Sequence, residues 1–365
     1  MRFRYTEFDP ARAAQKDLLR RLRDVYMQLL LQADGDPEQA LEWLGQLARR
    51  YKLLPPGFTL EDLRRYLLKE RLVERTEGGG LALSAAGARA LRIDSLERVF
   101  QGLQKDAAGD HRVAATGVGH ERLPETRPWT FGDPLDLVDA ASSVRNALRR
   151  GLPEGLEGLS LAEEDLEVHE TEHLSSCATV LMLDLSHSMI LYGEDRITPA
   201  KRVALALVEL IRTKFPKDSL RVVCFGDEAW EVPLDAIPTI AVGPFHTNTR
   251  AGLQLARDLL RRERRLNRQI FLLTDGKPSA LTEPDGEVYK NPFGLDRRVV
   301  AKTIEEAVVC RRHGIPITTF MLTEDPVLVR FVEEFSEANK GRAYFAGGDR
   351  LGQMVFVDYL RGRRS

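Results

Sequence analysis

Three short polar stretches hold the side chains best placed to do chemistry. Asp184-Leu185-Ser186-His187-Ser188 follows the apolar run ATVLMLDLS, and Phe245-His246-Thr247-Asn248-Thr249 precedes a helical pattern. Thr274-Asp275-Gly276 closes RQIFLLTDG. Together they offer two carboxylates and several hydroxyls, without a cysteine or histidine ligand set. Oxygen-only donors suit a hard cation; Mg²⁺ in particular accepts sites that keep several waters, and Mn²⁺ or Ca²⁺ would use the same donors. Ser186 and Ser188 lie two apart in a loop and can turn both hydroxyls to one point, while Gly276 permits a sharp turn after Asp275. Two carboxylates with neutral hydroxyls leave such an ion underneutralised and one position open to an incoming Asp or Glu. The same position could activate water. Hydrolysis would also need a general base and a substrate pocket, and the loops identify neither, so binding is the favoured reading and a metal-dependent hydrolase the alternative.

A fourth stretch, His169-Glu170-Thr171-Glu172-His173, satisfies the His-Glu-x-x-His pattern. On a helix the two imidazoles would stand about 6 Å apart and could share zinc. On a strand the spacing is about 13 Å, too far for one ion. Leu166 and Val168 alternate with Asp165 and Glu167, which points to extended chain leading into the sheet and away from zinc.

The elements that must position the three loops follow from periodicity. From Leu166 onward, strand-like runs alternate with helix-length segments: ATVLMLDLS, SLRVVCFG, RQIFLLTDG, IPITTFML and RAYFAG between TPAKRVALALVELIRTKF, TRAGLQLARDLLRRER, RRVVAKTIEEAVVCRRHG, PVLVRFVEEFSEANKG and DRLGQMVFVDYL. Thr198 is the expected cap of the first of these helices, and a short edge strand is expected near Trp230–Leu234. Right-handed crossovers then give an α/β, doubly wound, Rossmann-like and mostly parallel sheet. Ligands in such a sheet bind beyond the carboxyl ends of the strands, where all three polar groups fall. His187 reads as a solvent-facing loop residue; Asp195 and Arg196 read the same way, with shaping of the site's rim as the alternative. In the second loop Thr247, Asn248 and Thr249 all stand open as the ligand on residue type alone.

Residues 1–105 read as helical, with Leu18, Leu19, Leu22, Val25, Tyr26, Leu29 and Leu30 on one face. Thr59 caps a helix expected to run out near Glu70. LVER and LALS, joined by Gly78, Gly79 and Gly80, fit a hairpin, and Ser84 caps a further helix. Helix, hairpin and helix look like a winged-helix module. Residues 106–165 read as linker with one amphipathic helix in PLDLVDAASSVRNALRRG, and residues 166–365 as the sheet domain.

The chain of 365 residues carries 53 basic and 55 acidic side chains, a formal charge of -2, which disfavours a nucleic-acid coat. Residues 1–118 hold 20 basic and 17 acidic residues. This is too small an excess for a DNA footprint, so Arg64, Arg65, Lys69 and Arg71 read as a solvated face, with a DNA-binding regulator as the alternative. Cys177, Cys224 and Cys310 are isolated and read as reduced core thiols. No apolar run approaches the roughly 20 residues of a membrane helix, and MRFRYTEFDP has no secretory pattern, so a cytoplasmic protein without membrane insertion is expected.

Asp-x-Ser-x-Ser after the first strand, a Thr-Asn loop and Thr-Asp-Gly after a later strand resemble the von Willebrand factor A (VWA) domain over roughly residues 175 to 360. The resemblance implies a metal-ion-dependent adhesion site (MIDAS) built from Asp184, Ser186, Ser188, Thr247 and Asp275. It also implies that the hydroxyls contact the metal directly or not according to conformational state, and that the aspartates act partly through water. TRPWTFGDPLDLVDAASSVRNALRRG, then DLEVHETE, then this domain are similar to the magnesium-chelatase D-subunit/CoxE-like group. That similarity implies a non-enzymatic adaptor for a MoxR- or chelatase-type AAA+ ATPase and a protein client. The sequence has no Gly-x-x-x-x-Gly-Lys-Ser/Thr loop of its own.

Overall fold

Leu22, Tyr26, Leu29 and Leu30 recur at helical spacing along α1 (Pro10–Gln32) and are buried together, as an amphipathic stripe requires. The computed structural model describes residues 10–54, 58–106, 121–130, 138–150, 161–172, 176–263, 265, 267–291, 293–323, 325–345 and 348–362. α2 (Pro37–Tyr51) starts at Asp36, whose carboxylate accepts the Glu38 and Gln39 amides. Thr59 caps α3 (Leu60–Lys69) in a reciprocal exchange with Asp62, and Glu70 closes it. β1 (Val73–Arg75) and β2 (Leu81–Leu83) form an antiparallel hairpin. Ser84 Oγ then accepts the Gly87 amide at 2.9 Å to open α4 (Ala85–Asp106). The expected helix–hairpin–helix order is present. Arg64 and Arg65 each meet a carboxylate, Glu38 at 2.7 Å and Asp62 at 2.6 Å.

Contacts group the chain into two units, Met1–Ala108 with Cys177–Val357, and Gly109–Ser176 with Asp358–Ser365. Part of the stretch expected to be linker is strand. β3 (Glu121–Pro128) pairs antiparallel with β4 (Glu167–Glu172), and α5 (Ala140–Arg150) is the expected amphipathic helix. Arg150 grips Asp165 through two nitrogens at 2.7 and 2.9 Å, and Asn146 Nδ2 donates to Glu167 at 3.0 Å. The His169 region is therefore extended, as expected, but it pairs with β3 and not with the main sheet. His173 lies outside the described residues.

In the first unit, every residue of β5 (Cys177–Asp184) is buried, the mark of a strand covered on both faces. α6 (Ile197–Lys214), β6 (Ser219–Phe225) and β7 (Ala229–Val232) follow, then α7 (Thr249–Arg261) and β8 (Asn267–Thr274). A small hairpin, β9 (Ala280–Thr282) with β10 (Val288–Lys290), precedes α8 (Arg297–Arg312) and β11 (Ile317–Met321). α9 (Pro326–Asn339), β12 (Arg342–Phe345) and α10 (Gly348–Gly362) complete the order. The six-stranded sheet runs β12-β11-β8-β5-β6-β7, parallel throughout except for the antiparallel edge strand β7. The chain leaves β5 for β6 on one side and later returns as β8 on the other. The order therefore reverses at β5, where a ligand crevice belongs in this class of sheet.

One helix cap differs from expectation. Thr198 does not cap α6; it lies inside the first turn, and its amide is accepted by the Asp195 carboxylate at 2.9 Å. An acid at that place satisfies the free amide and suits the helix dipole. The helical region packs on the sheet domain within the same unit: Arg92 of α4 meets Glu209 of α6 at 3.2 Å, both buried. The three cysteines are unpaired and buried, and burial pushes the Cys224 and Cys310 thiols up to about 12. Among the described residues no helix is long and apolar enough to cross a membrane.

Candidate metal centre

Asp184 ends β5 and is fully buried, so its carboxylate must find donors within the protein. Oδ1 accepts the Ser186 amide at 2.9 Å, and Oδ2 accepts the Thr274 hydroxyl at 2.5 Å. The Ser186 and Ser188 hydroxyls stand 3.0 Å apart, and Ser188 donates to Asp275 Oδ1 at 2.8 Å. Burial, and after it the charge of Asp275, pushes Asp184 up to about 7 despite the bonds from Thr274 and Ser186. Of the two buried carboxylates gathered here, Asp184 has only neutral donors, while Asp275 also meets the Arg196 guanidinium.

The backbone supplies the framework. The Leu185 amide donates to the Phe225 carbonyl at 2.9 Å and the His187 amide to the Phe245 carbonyl at 3.1 Å. These bonds hold the Asp-x-Ser-x-Ser loop against the loop before α7. Phe245 packs edge-on to Trp230, with ring centroids 6.2 Å apart, and lies over Gly226 and Gly243, where any Cβ would strike its ring. Ser279, at the foot of the β9–β10 hairpin, accepts the Thr247 amide at 3.0 Å and donates its own amide to the Thr247 carbonyl at 2.9 Å.

Gly276 gives the clearest measure of convergence. A Cβ there would lie 2.9 Å from Thr247 Oγ1, 3.1 Å from Ser188 Oγ and 3.2 Å from Asp184 Oδ2. Three oxygens, two from the Asp-x-Ser-x-Ser loop and one from the loop before α7, therefore face one small space beside the third loop, which the missing side chain leaves clear. Thr247, Ser186, Asp184 and Asp275 are all buried, and Ser188 is partly exposed. Among the described residues no group of three or more His, Cys, Asp and Glu side chains is arranged to hold a metal. What gathers is two carboxylates with hydroxyls, a donor set that fits a hard cation.

The neighbours separate by role. Asn248 caps α7, accepting the Ala251 amide at 3.1 Å, and its Nδ2 donates to the Asp227 carbonyl and to Thr282 Oγ1, each at 2.9 Å. Thr249 is buried in the first turn. Of the three, Thr247 is the one whose hydroxyl oxygen is among the three atoms nearest the Gly276 space. His187 is exposed, as expected. Arg196 is not the solvated loop residue it was expected to be: its Nη1 donates to Asp275 Oδ2 at 2.5 Å, and Nε and Nη2 to Glu194 at 3.0 and 2.6 Å. Sequence reading missed Ser279, and it named Thr274 and Arg196 without their bonds to Asp184 and Asp275. Residues 281–294 contain the outer strand and turn of the hairpin, with Gly286 at φ 90° and Lys290 tied to Asp227 at 2.7 Å. Phe293 beyond it is 84% exposed.

Sheet order, crossover pattern and the polar loops at the carboxyl edge define a VWA domain. Residues 177–360 match the model of the VWA domain of Rv0959-like proteins, and residues 121–171 match the third domain of the same proteins. The chain belongs to this Rv0959-like family. It is 34% identical over 311 residues to "Uncharacterized protein Rv0959" of Mycobacterium tuberculosis and to "Uncharacterized protein Mb0984" of Mycobacterium bovis, covering 84% of this chain and 46% of each relative. The chain thus spans about half the length of the curated relatives it matches. Among solved structures, a von Willebrand factor type A protein from Catenulispora acidiphila is similar at 19% identity and a TM-score of 0.38, over 54% of this chain and 44% of that one.

Proposed function

We propose that this protein is a non-enzymatic, metal-dependent adaptor whose VWA domain docks a partner's carboxylate. Asp184, Ser186, Ser188, Thr247 and Asp275 would hold Mg²⁺, with Mn²⁺ or Ca²⁺ as alternatives. The observation that carries this reading is the convergence of Thr247, Ser188 and Asp184 oxygens around the space at Gly276. A bound ion would supply a positive point to which an Asp or Glu of the partner attaches. The chain's own residues do the rest. Thr274 and the Ser186 amide orient Asp184, Ser188 orients Asp275, and Ser279 fixes the backbone of Thr247. A protein-interaction role accords with the VWA domain.

The partner we favour is a MoxR- or chelatase-type AAA+ ATPase acting in the cytoplasm on a protein client gripped by the helical region. The resemblance of the segment before the VWA domain to the CoxE-like group supports this choice, as does the lack of a nucleotide-binding loop in this sequence. The test is pull-down from a lysate of the native host with and without chelator, using the full chain and Asp184→Asn. Capture of such an ATPase that is lost with chelator and in the variant is expected. Capture indifferent to both would reject docking through a metal.

A further inference from the structure

Asp275 has no free oxygen. Ser188 donates to Oδ1, and the Arg196 guanidinium lies 2.5 Å from Oδ2, only 18% exposed. Glu194 holds the outer edge of the same guanidinium, and the Arg196 amide donates to the Met189 carbonyl at 3.0 Å, so both ends of the residue are anchored beside the Asp-x-Ser-x-Ser loop. Burial alone would weaken the charge on Arg196, yet its bonds to Asp275 and Glu194 keep its pKa above the ordinary value. An arginine is in any case charged at every working pH.

We propose that Arg196 is a resident counter-cation that competes with a divalent ion for Asp275 and thereby sets the affinity of the centre. This inference rests on the cation reading of the site. The two carboxylates that would attract the ion are Asp184 and Asp275, and Arg196 neutralises one of them before any ion arrives. An entering ion meets the remaining charge of Asp184, the hydroxyls, and a like-charged guanidinium a few ångströms away. Either Arg196 swings toward Glu194, which is exposed and already accepts two of its nitrogens, or the ion is held less tightly. Removing the positive charge should therefore tighten binding on the order of tenfold, the scale of one unit charge at short range in partly screened surroundings.

Mg²⁺ alone is titrated by calorimetry into the full chain, wild type, Arg196→Gln, Arg196→Lys and Asp184→Asn, with Mn²⁺ followed in parallel by electron paramagnetic resonance. Arg196→Gln is expected to bind about tenfold tighter, and Arg196→Lys, which keeps the charge without the fork, to stay close to wild type. Unchanged or weaker binding in Arg196→Gln overturns the proposal, and so does Arg196→Lys tightening as far as Arg196→Gln. If wild type binds, Asp184→Asn does not, and Arg196→Gln equals wild type, the cation site stands and only the role of Arg196 falls. If none of the proteins binds either ion, the cation reading itself falls and this inference with it.

Discussion

The Lys201 ammonium lies 2.8 Å from Asp34, 167 residues earlier in the chain, and 3.0 Å from the Ile240 carbonyl. Lys201 belongs to α6 and is fully buried; Asp34 lies in the turn between α1 and α2. The pair thus fastens the helical region to the VWA domain just before the loop that carries Thr247. Burial pulls Lys201 below its ordinary 10.5, with Asp34 acting the other way. Between that lowered value and 10.5 the unfolded chain binds more protons, so this group's contribution to stability rises with pH across the window and is flat below it. Asp34→Asn should cost about 1–2 kcal/mol at neutral pH, because it strands a buried charge whose partner was half exposed. The gap to wild type should narrow as pH climbs toward 10.5 and Lys201 loses its proton. Urea unfolding at stepped pH measures this; a gap that stays constant would show that Asp34 is not the counter-charge.

Asp184 predicts the opposite slope. Its folded value of about 7 lies above the ordinary 3.8, so between the two the folded chain keeps a proton that the unfolded chain has released. Stability therefore falls as pH rises through that window, by roughly 4 kcal/mol in full, and the cost persists above it. Asp184→Asn should remove this slope in the presence of chelator. On the proposed cation reading, saturating Mg²⁺ should flatten it in wild type by favouring the charged carboxylate. Denaturant midpoints of the two proteins across the window give the difference directly, and equal slopes would mean that Asp184 does not titrate there.

What was legible in the sequence follows from where physical constraints are local. β5 announced itself because a parallel strand covered on both faces must be an apolar run, and ATVLMLDLS is one. The three polar loops fell at one edge because topology alone puts them there. The aim of Arg196 was not legible: loop arginines ordinarily face water, and its place is set by the Met189 carbonyl, Glu194 and Asp275, contacts that depend on the fold. β3 was missed because ERLPETRP is polar and contains two prolines, and the strand it pairs with, β4, lies more than 30 residues on. The β9–β10 hairpin escaped for a related reason. Its strands are three residues long, and their place depends on Ser279 and Asn291 joining through the backbone at 2.7 Å.

Gly276 should tolerate no side chain for reasons of space and not of backbone. Its φ is not in the left-handed region, so Gly276→Ala carries no conformational penalty of that kind. The new methyl would instead press on Thr247 Oγ1, Ser188 Oγ and Asp184 Oδ2. A stability loss of about 1–2 kcal/mol is expected from this crowding. On the proposed reading, divalent-ion affinity should drop at least about tenfold, since the methyl stands where the oxygens converge. Thermal unfolding and Mg²⁺ titration of the one variant separate the two effects. Unaltered ion binding would place any cation elsewhere.

Thr247 and Asn248 are adjacent and both buried, yet they should respond differently to substitution. Asn248→Ala removes the cap of α7 and the two bonds to the Asp227 carbonyl and Thr282, leaving buried partners unsatisfied. A loss of about 2–3 kcal/mol is expected. Thr247→Val keeps the overall shape and removes one hydroxyl, so stability should fall by no more than about 1.5 kcal/mol. Ion affinity should follow the reverse order: lost in Thr247→Val, and retained by the folded fraction of Asn248→Ala. Denaturant midpoints and Mg²⁺ titrations on both variants check the assignment. If Asn248→Ala abolished binding at full stability while Thr247→Val bound normally, the ligand role would pass to Asn248, and the loop would have to turn by one residue from the arrangement in which Ser279 holds Thr247.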